Sequence, residues 1–242
     1  MKFLVVLGIF LLSVLSLFLL FGIFTMVCSL FVRNKEYTKH SRFYRFLLHF
    51  WSVWLIKVLR IKLEVKGMEN IPENTRFLLV GNHRSNYDPI ITWVVFKKYD
   101  IAYITKPNNF KVPWFGKFIR KCCFLGIDRN NAKSSMKTLN KAAKLMLNDT
   151  VSIGVYPEGT RSKKAEMGEF HNGVFKIAQK ADAPIVIVSI QGTENIFKNI
   201  PFRGTKVKLH ILETISKENV SVMPTEEIGN IVKNRLNDDF DK

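Results

Sequence analysis

The chain holds 242 residues and a formal net charge of +17, with 37 Lys or Arg against 20 Asp or Glu. A composition 47% hydrophobic and 24% charged excludes a disordered or fibrous protein and suffices for one ordinary domain with an appendage. Three cysteines, two of them adjacent at Cys122 and Cys123, exclude a disulfide scaffold or zinc-type spacing, and the charge calls for an anionic partner: nucleic acid, an anionic membrane or a phosphorylated substrate.

Residues 3–32 contain no charged side chain. As a helix they would measure about 45 Å against the roughly 30 Å of a bilayer's hydrocarbon core. Such a segment spans with tilt or lies partly in the interface. A secretory signal fits poorly, because the apolar stretch is too long and no A-x-A-like cleavage site follows. The segment therefore reads as a retained anchor. Arg33, Lys35, Lys39, Arg42 and Arg45 follow it, whereas only Lys2 precedes it. The positive-inside rule then predicts a cell-membrane protein with its remaining residues on the cytoplasmic side. Residues 41–63 are also apolar but carry Arg42, Arg45, His49, Lys57, Arg60 and Lys62, with Phe43, Tyr44, Trp51 and Trp54 among them. This predicts an amphipathic helix, lying either at the membrane surface or against a globular domain. Residues 1–63 are accordingly assigned to N-terminal membrane-anchoring helices and 64–242 to the globular domain that follows them.

From about Ile61 the pattern changes. IKLEVKG alternates like a strand, and Arg76 to Gly81 reads as a buried one. A helix is predicted from Pro89 to Tyr99, a strand over 100–105, and a helix over 131–148 with Met136, Leu139, Ala143, Met146 and Leu147 on its apolar face. Strands over 151–156, 184–190 and 206–212 alternate with helices over 171–181 and 224–236. This alternation predicts an α/β fold with a mixed, largely parallel sheet flanked by helices.

Two loops hold groups capable of chemistry. In Gly81-Asn-His-Arg-Ser-Asn-Tyr-Asp-Pro89, between a strand and a helix, His83 and Asp88 would lie about 140° apart on a continuous helix. They meet only if the chain turns between them, as Ser85, Asn86 and Pro89 allow. An aspartate on one imidazole nitrogen leaves the other as a base. The same residues also suit an Asp88 helix cap ahead of Pro89. The second loop, Val155-Tyr-Pro-Glu-Gly-Thr-Arg161, combines a glycine for close backbone approach with a hydroxyl and a fork-shaped anion donor. It equally suits a plain turn with a surface ion pair. It resembles a nucleotide P-loop but lacks the lysine. Between the loops, residues 97–144 carry twelve Lys or Arg and two Asp, interleaved with Phe110, Trp114, Phe115, Phe118 and Phe124. Such a surface suits single-stranded nucleic acid or anionic headgroups, and the apolar anchor favours the headgroups. No spacing of His, Cys, Asp and Glu suits a metal.

Taken together, the motifs resemble the glycerophospholipid acyltransferases, in particular the bacterial-type 1-acyl-sn-glycerol-3-phosphate acyltransferases. His83-Arg-Ser-Asn-Tyr-Asp88 matches their H-x4-D signature. Gly126-Ile-Asp-Arg129, Tyr156-Pro-Glu-Gly-Thr-Arg161 and Pro184-Ile-Val-Ile-Val resemble their second, third and fourth blocks, in order, across roughly residues 76–190. The resemblance implies transfer of a fatty acyl group from acyl-CoA or acyl carrier protein, as co-substrate, to a lysophosphatidate in phospholipid biosynthesis. It implies His83 as general base and Asp88 as its orienting partner, with Lys106, Arg129, Glu158, Gly159, Thr160 and Arg161 in substrate binding. It implies no metal, no other cofactor and no nucleic acid, the partners being membrane lipids and the acyl donor. Glycerol 3-phosphate or another lysophospholipid as acceptor, or water in a membrane-bound thioesterase, are the alternatives. The chain departs from the family at Ile187, where a second proline is common, at Pro107-Asn-Asn-Phe110, and at His171, where a lysine is common; His171 is given no catalytic role.

Overall fold

The computed structural model describes residues 2–161 and 167–240. The uncharged N-terminal stretch forms one helix, α1 (Lys2–Leu30), and nearly all of its side chains are exposed. Among the described residues it is the one helix long and apolar enough to cross a membrane. The second apolar segment forms α2 (Arg42–Val58), shorter than the expected 41–63. The chain leaves the helix through Arg60 in a left-handed conformation (φ 54°). The alternating IKLEVK then pairs as β1 (Ile61–Lys66), so the sheet begins three residues inside the segment assigned to the anchor. Aromatic contacts seam the two helices together: Phe21 meets Phe50 at 4.7 Å, and Phe18 meets Trp54 at 5.3 Å.

The other strands are β2 (Leu78–Gly81), β3 (Ala102–Thr105), β4 (Leu125–Gly126), β5 (Ile153–Val155), β6 (Ile185–Gln191) and β7 (Thr205–Ile215). They form one seven-stranded sheet in the order β1-β7-β6-β2-β5-β3-β4. Every pairing is parallel except β6 with β7. The central strands β2 and β6 are buried along nearly their whole length, with only Ser189 and Gln191 polar, because both of their faces are covered. The outer β7 alternates buried and exposed residues as a one-sided strand does. Ile187, the site of the missing proline, lies where the β6–β7 register shifts in a bulge. Bulges are among the few sheet positions that tolerate proline.

The remaining helices are α3 (Asp88–Val95), α4 (Phe115–Lys121), α5 (Ala132–Leu147), α6 (Lys176–Lys180), α7 (Ile196–Asn199), α8 (Lys217–Val222) and α9 (Thr225–Phe240). α2 packs on α3 and α4, α6 packs on α5 and α8, and α9 lies against β6. Two sequence expectations need correction. The buried face of α5 is Thr138, Leu139, Ala142, Ala143, Leu145 and Met146, whereas Met136 and Leu147 are exposed. Leu139, Ala143 and Met146 lie on the buried face as expected, and Thr138, Ala142 and Leu145 take the places expected of Met136 and Leu147. The helix expected over 171–181 is a 3-10 turn (Asn172–Phe175) followed by α6.

Of its two predicted settings, α2 takes the one against the globular domain on its inner side. Arg45 is buried, donating from Nε to Asp100 at 3.0 Å and from Nη2 to the Ile101 carbonyl at 2.9 Å. Its guanidinium also stacks 4.5 Å from the Trp93 ring. On the outer side Phe43, Phe46 and Trp54 remain exposed.

Candidate active site

β2, β5 and β6 run parallel and end together, so the loops that leave their C-terminal ends converge. The loop after β2 carries His83 and Asp88. His83 Nδ1 donates to Asp88 Oδ2 at 2.8 Å, the tautomer being assigned from the acceptor it faces. The same oxygen accepts the backbone N–H of Arg84 and of Ser85, each at 2.7 Å. The carboxylate is thus turned back into its own loop, not forward onto α3. Asp88 is not the cap of that helix: the cap position belongs to Tyr87, with no side-chain bond. Asp88 is 0% exposed. Its other oxygen accepts the Thr193 hydroxyl at 2.6 Å, from the loop after β6.

The imidazole is held on three sides. Its backbone N–H donates to Glu158 Oε1 at 2.7 Å, and Glu158 Oε2 accepts from Gly168 N at 3.1 Å. Glu158 is therefore a buried brace between the two motif loops. The Tyr156 ring stacks on the imidazole at 4.6 Å with 21° between planes. Tyr156 is itself fixed through Thr92, whose Oγ1 lies 3.1 Å from the Tyr156 hydroxyl, 2.6 Å from the Tyr103 hydroxyl and 2.9 Å from the Asp88 carbonyl. One hydroxyl offers one donor and two acceptor sites. Both phenols therefore donate to Thr92, which donates to Asp88. Burial pushes both phenols above the usual tyrosine range, so they remain donors at physiological pH. Among the described residues His83 Nε2 has no hydrogen-bond partner.

Beside this pair lies a cavity of about 240 Å³. Ile104, Ile127, Leu139, Val155 and Val174 give it apolar walls, and Arg129, Ser135 and His171 are its polar lining. Tyr156, stacked on the His83 imidazole, and Gly159 also line it. Gly159 has φ +69°, and a Cβ there would stand 3.2 Å from Arg129 Nη1 and 2.9 Å from His171 Cδ2. A side chain at this position would fill the gap between guanidinium and imidazole. Burial lowers the Arg129 pKa from its ordinary value, which leaves it a cation at any physiological pH.

The structure thus brings together His83, Asp88, Glu158, Gly159 and Arg129. Thr160 and Arg161 are exposed in the same turn, and Lys106 is exposed just past the C-terminal end of β3, on the same side of the sheet. Sequence reasoning missed Thr193, Thr92, Tyr103, the ring contact of Tyr156 and the place of His171. Thr92 sits one helical turn after Asp88 without a charged or catalytic pattern to mark it, and Thr193, Tyr103 and the Tyr156 ring meet the loop after β2 only because strands distant in sequence end side by side. Cys122 and Cys123 are buried in the core, where burial pushes their thiols up to about 12 and about 11. They do not serve as nucleophiles there. A second cavity, of about 210 Å³, lies between α2 and α3 and is lined by Arg42, Arg45, Lys97 and Asp100. It sits near the N-terminal end of β3, away from His83.

Comparison with known proteins agrees with this geometry. The family model described as Acyltransferase matches residues 62–191, which contain both motif loops. A Bacillus subtilis protein named 1-acyl-sn-glycerol-3-phosphate acyltransferase is 31% identical over 174 residues, covering 72% of this chain and 83% of its own. A protein of the same name from Borreliella burgdorferi is 29% identical over 187 residues, covering 76% of this chain and 73% of its own. The crystal structure of a 1-acyl-sn-glycerophosphate acyltransferase from Thermotoga maritima superposes with a TM-score of 0.71 at 24% identity. That alignment covers 92% of this chain and 88% of the other, and it shows the shared fold. With a family model matched over more than half its length, the chain belongs to the acyltransferase family.

Proposed function

We propose that the protein moves a fatty acyl group from an acyl thioester to the free hydroxyl of 1-acyl-sn-glycerol 3-phosphate, giving phosphatidate. The observation that carries the reading is an imidazole tied through Nδ1 to a buried carboxylate, with no partner on Nε2 among the described residues, stacked on Tyr156, which lines a largely apolar cavity that also holds Arg129. The names of the relatives support the same substrate class.

The acceptor hydroxyl places its proton on His83 Nε2 as its oxygen attacks the thioester carbonyl. Asp88 keeps the imidazole in the required tautomer and stabilises the imidazolium. The tetrahedral intermediate collapses with cleavage of the carbon–sulfur bond. The thiolate leaves and takes the proton back from the imidazolium, so the base is restored and no acyl-enzyme forms. A thiol with an ordinary pKa near 8.5 leaves with little acid assistance. Arg129, with Arg161 and Lys106, neutralises the phosphate of the acceptor. The apolar walls of the cavity take alkyl chain. The donor is acyl-CoA or acyl carrier protein, and no metal is invoked. α1 holds the domain at the membrane, and the cations after it orient the domain toward the cytoplasm.

The test is thiol release from a long-chain acyl-CoA by the full chain in detergent, with and without lysophosphatidate. Release should depend on the acceptor and fall by about three orders of magnitude in His83→Ala, as loss of a general base predicts. Release that ignores the acceptor would identify a thioesterase instead.

A further inference from the structure

Among the described residues, the two most exposed large apolar side chains lie outside α1: Phe202 at 86% and Phe197 at 81%. Both sit in the connection from β6 to β7. Their exposure does not come from a loose segment. Thr193 is buried and bonded to Asp88, Ile196 is 0% exposed, and Asn199 Nδ2 donates to Thr205 Oγ1 at 2.9 Å. The Arg203 N–H donates to the Asn199 carbonyl at 2.8 Å. A well-anchored loop therefore holds two phenylalanines out into solvent, at a cost that a partner surface would remove.

The position of the loop indicates that surface. β6 runs parallel to β2, so the loop leaves the sheet at the end that carries His83. Arg60, just past the end of α2, donates from Nη1 to the Phe202 carbonyl at 3.3 Å. α1 runs antiparallel to α2: the Tyr44 hydroxyl donates to the Cys28 carbonyl at one end, and Phe18 meets Trp54 toward the other. The N-terminal turns of α1 therefore continue past the end of α2 on the side of this loop. The loop also carries Lys198 and Arg203 against a single carboxylate, Glu194, with Arg60 beside it. Aromatic side chains flanked by cations, next to an apolar anchor, suit the headgroup region of an anionic bilayer.

We propose that Phe197 and Phe202 form a second membrane contact, separate from α1, which seats the catalytic end of the sheet against the bilayer. A single helix leaves the tilt of α1 and its attached domain over the bilayer unset. A second contact beside His83 turns the site toward the layer in which an amphiphilic acceptor resides. The inference does not depend on which lipid is acylated.

The experiment uses the full chain in vesicles of phosphatidylcholine and phosphatidylglycerol. In a Cys28→Ser background, Phe202→Cys carries a polarity-sensitive fluorophore. Cys122 and Cys123 remain unlabelled because they are buried. The control label is Asn148→Cys, exposed where α5 leads into β5 at the opposite end of the sheet. A lipid bearing a quencher near its headgroup should quench and blue-shift the label at 202 and leave the label at 148 unchanged. Equal behaviour of the two labels overturns the proposal. So does a label at 202 that responds to acyl carrier protein but not to lipid, since the loop would then be a protein-docking surface. A second arm needs no label. Phe197→Ser with Phe202→Ser should lower acyl transfer to vesicle-embedded acceptor about tenfold, while transfer in micelles changes less than about twofold. An unchanged ratio of vesicle to micelle rates overturns the proposal. If the protein acylates no lysophosphatidate at all, the quenching arm still decides the question.

Discussion

Asp88 gathers four donors on two oxygens, from His83, Arg84, Ser85 and Thr193. Only the first of these is the interaction that acid–base chemistry requires; the others fix where the carboxylate stands. Thr193 is the one that comes from a different strand. Thr193→Val keeps the shape and removes the donor, leaving a buried carboxylate oxygen unpaired at a cost of about 1–3 kcal/mol. The expected outcome is a fall in kcat with little change in the acceptor KM, recovered by Thr193→Ser. A fall in stability without that kinetic split would make Thr193 merely structural. The cysteines allow a chemical test at the same scale. With thiols raised to about 12 and about 11, Cys122 and Cys123 stay protonated at pH 8. An alkylating reagent should therefore modify only Cys28 in the folded chain, and all three cysteines after denaturation.

At the scale of elements, α2 joins the apolar helix α1 to the domain. Its helical form follows from an apolar stripe with cations on the other face, but its attachment depends on Arg45. Arg45 is 8% exposed, and its guanidinium is bonded to Asp100 and Ile101 and stacked on Trp93. Arg45→Ala removes one partner of a shielded pair together with its packing. It should destabilise the chain by about 3 kcal/mol in denaturant titration. Arg45→Lys should recover only part of this, because an ammonium cannot form the planar stack or the two-pronged contact. The turn after β6 is constrained in another way. Gly192 has φ +91°, and a Cβ there would lie 2.4 Å from the Lys206 carbonyl oxygen. This glycine lets the chain reverse tightly enough to deliver Thr193 to Asp88.

At the scale of the molecule, an apolar helix and a hydrophilic α/β domain are joined along one seam of aromatic side chains. Residues 2–17 of α1 are almost entirely exposed and contribute little to the domain's core. Their deletion should leave the thermal transition of the remainder within a few degrees. It should also weaken co-sedimentation with vesicles, leaving only the binding that the cations and the exposed phenylalanines supply, while sparing turnover of a short-chain, water-soluble acceptor. Loss of folding in that variant would show that α1 is part of the domain and not an anchor on it.

The uncharged stretch, the two motif loops and the alternation of strand and helix are local patterns. Composition and spacing alone determined an α/β protein behind a long apolar helix, with His83 and Asp88 as candidate partners, because apolar periodicity and turn chemistry act over a few residues. Local pattern left two readings of Asp88 open, helix cap or imidazole partner, since both need the same neighbours. Tertiary structure decided between them: the carboxylate faces backward, and its fourth donor arrives from a strand more than a hundred residues away. The same holds for the Tyr156 ring, the Glu158 brace and the gap between Arg129 and His171. Each depends on which strand ends lie side by side, and strand order follows from the packing of the whole sheet rather than from any segment of it.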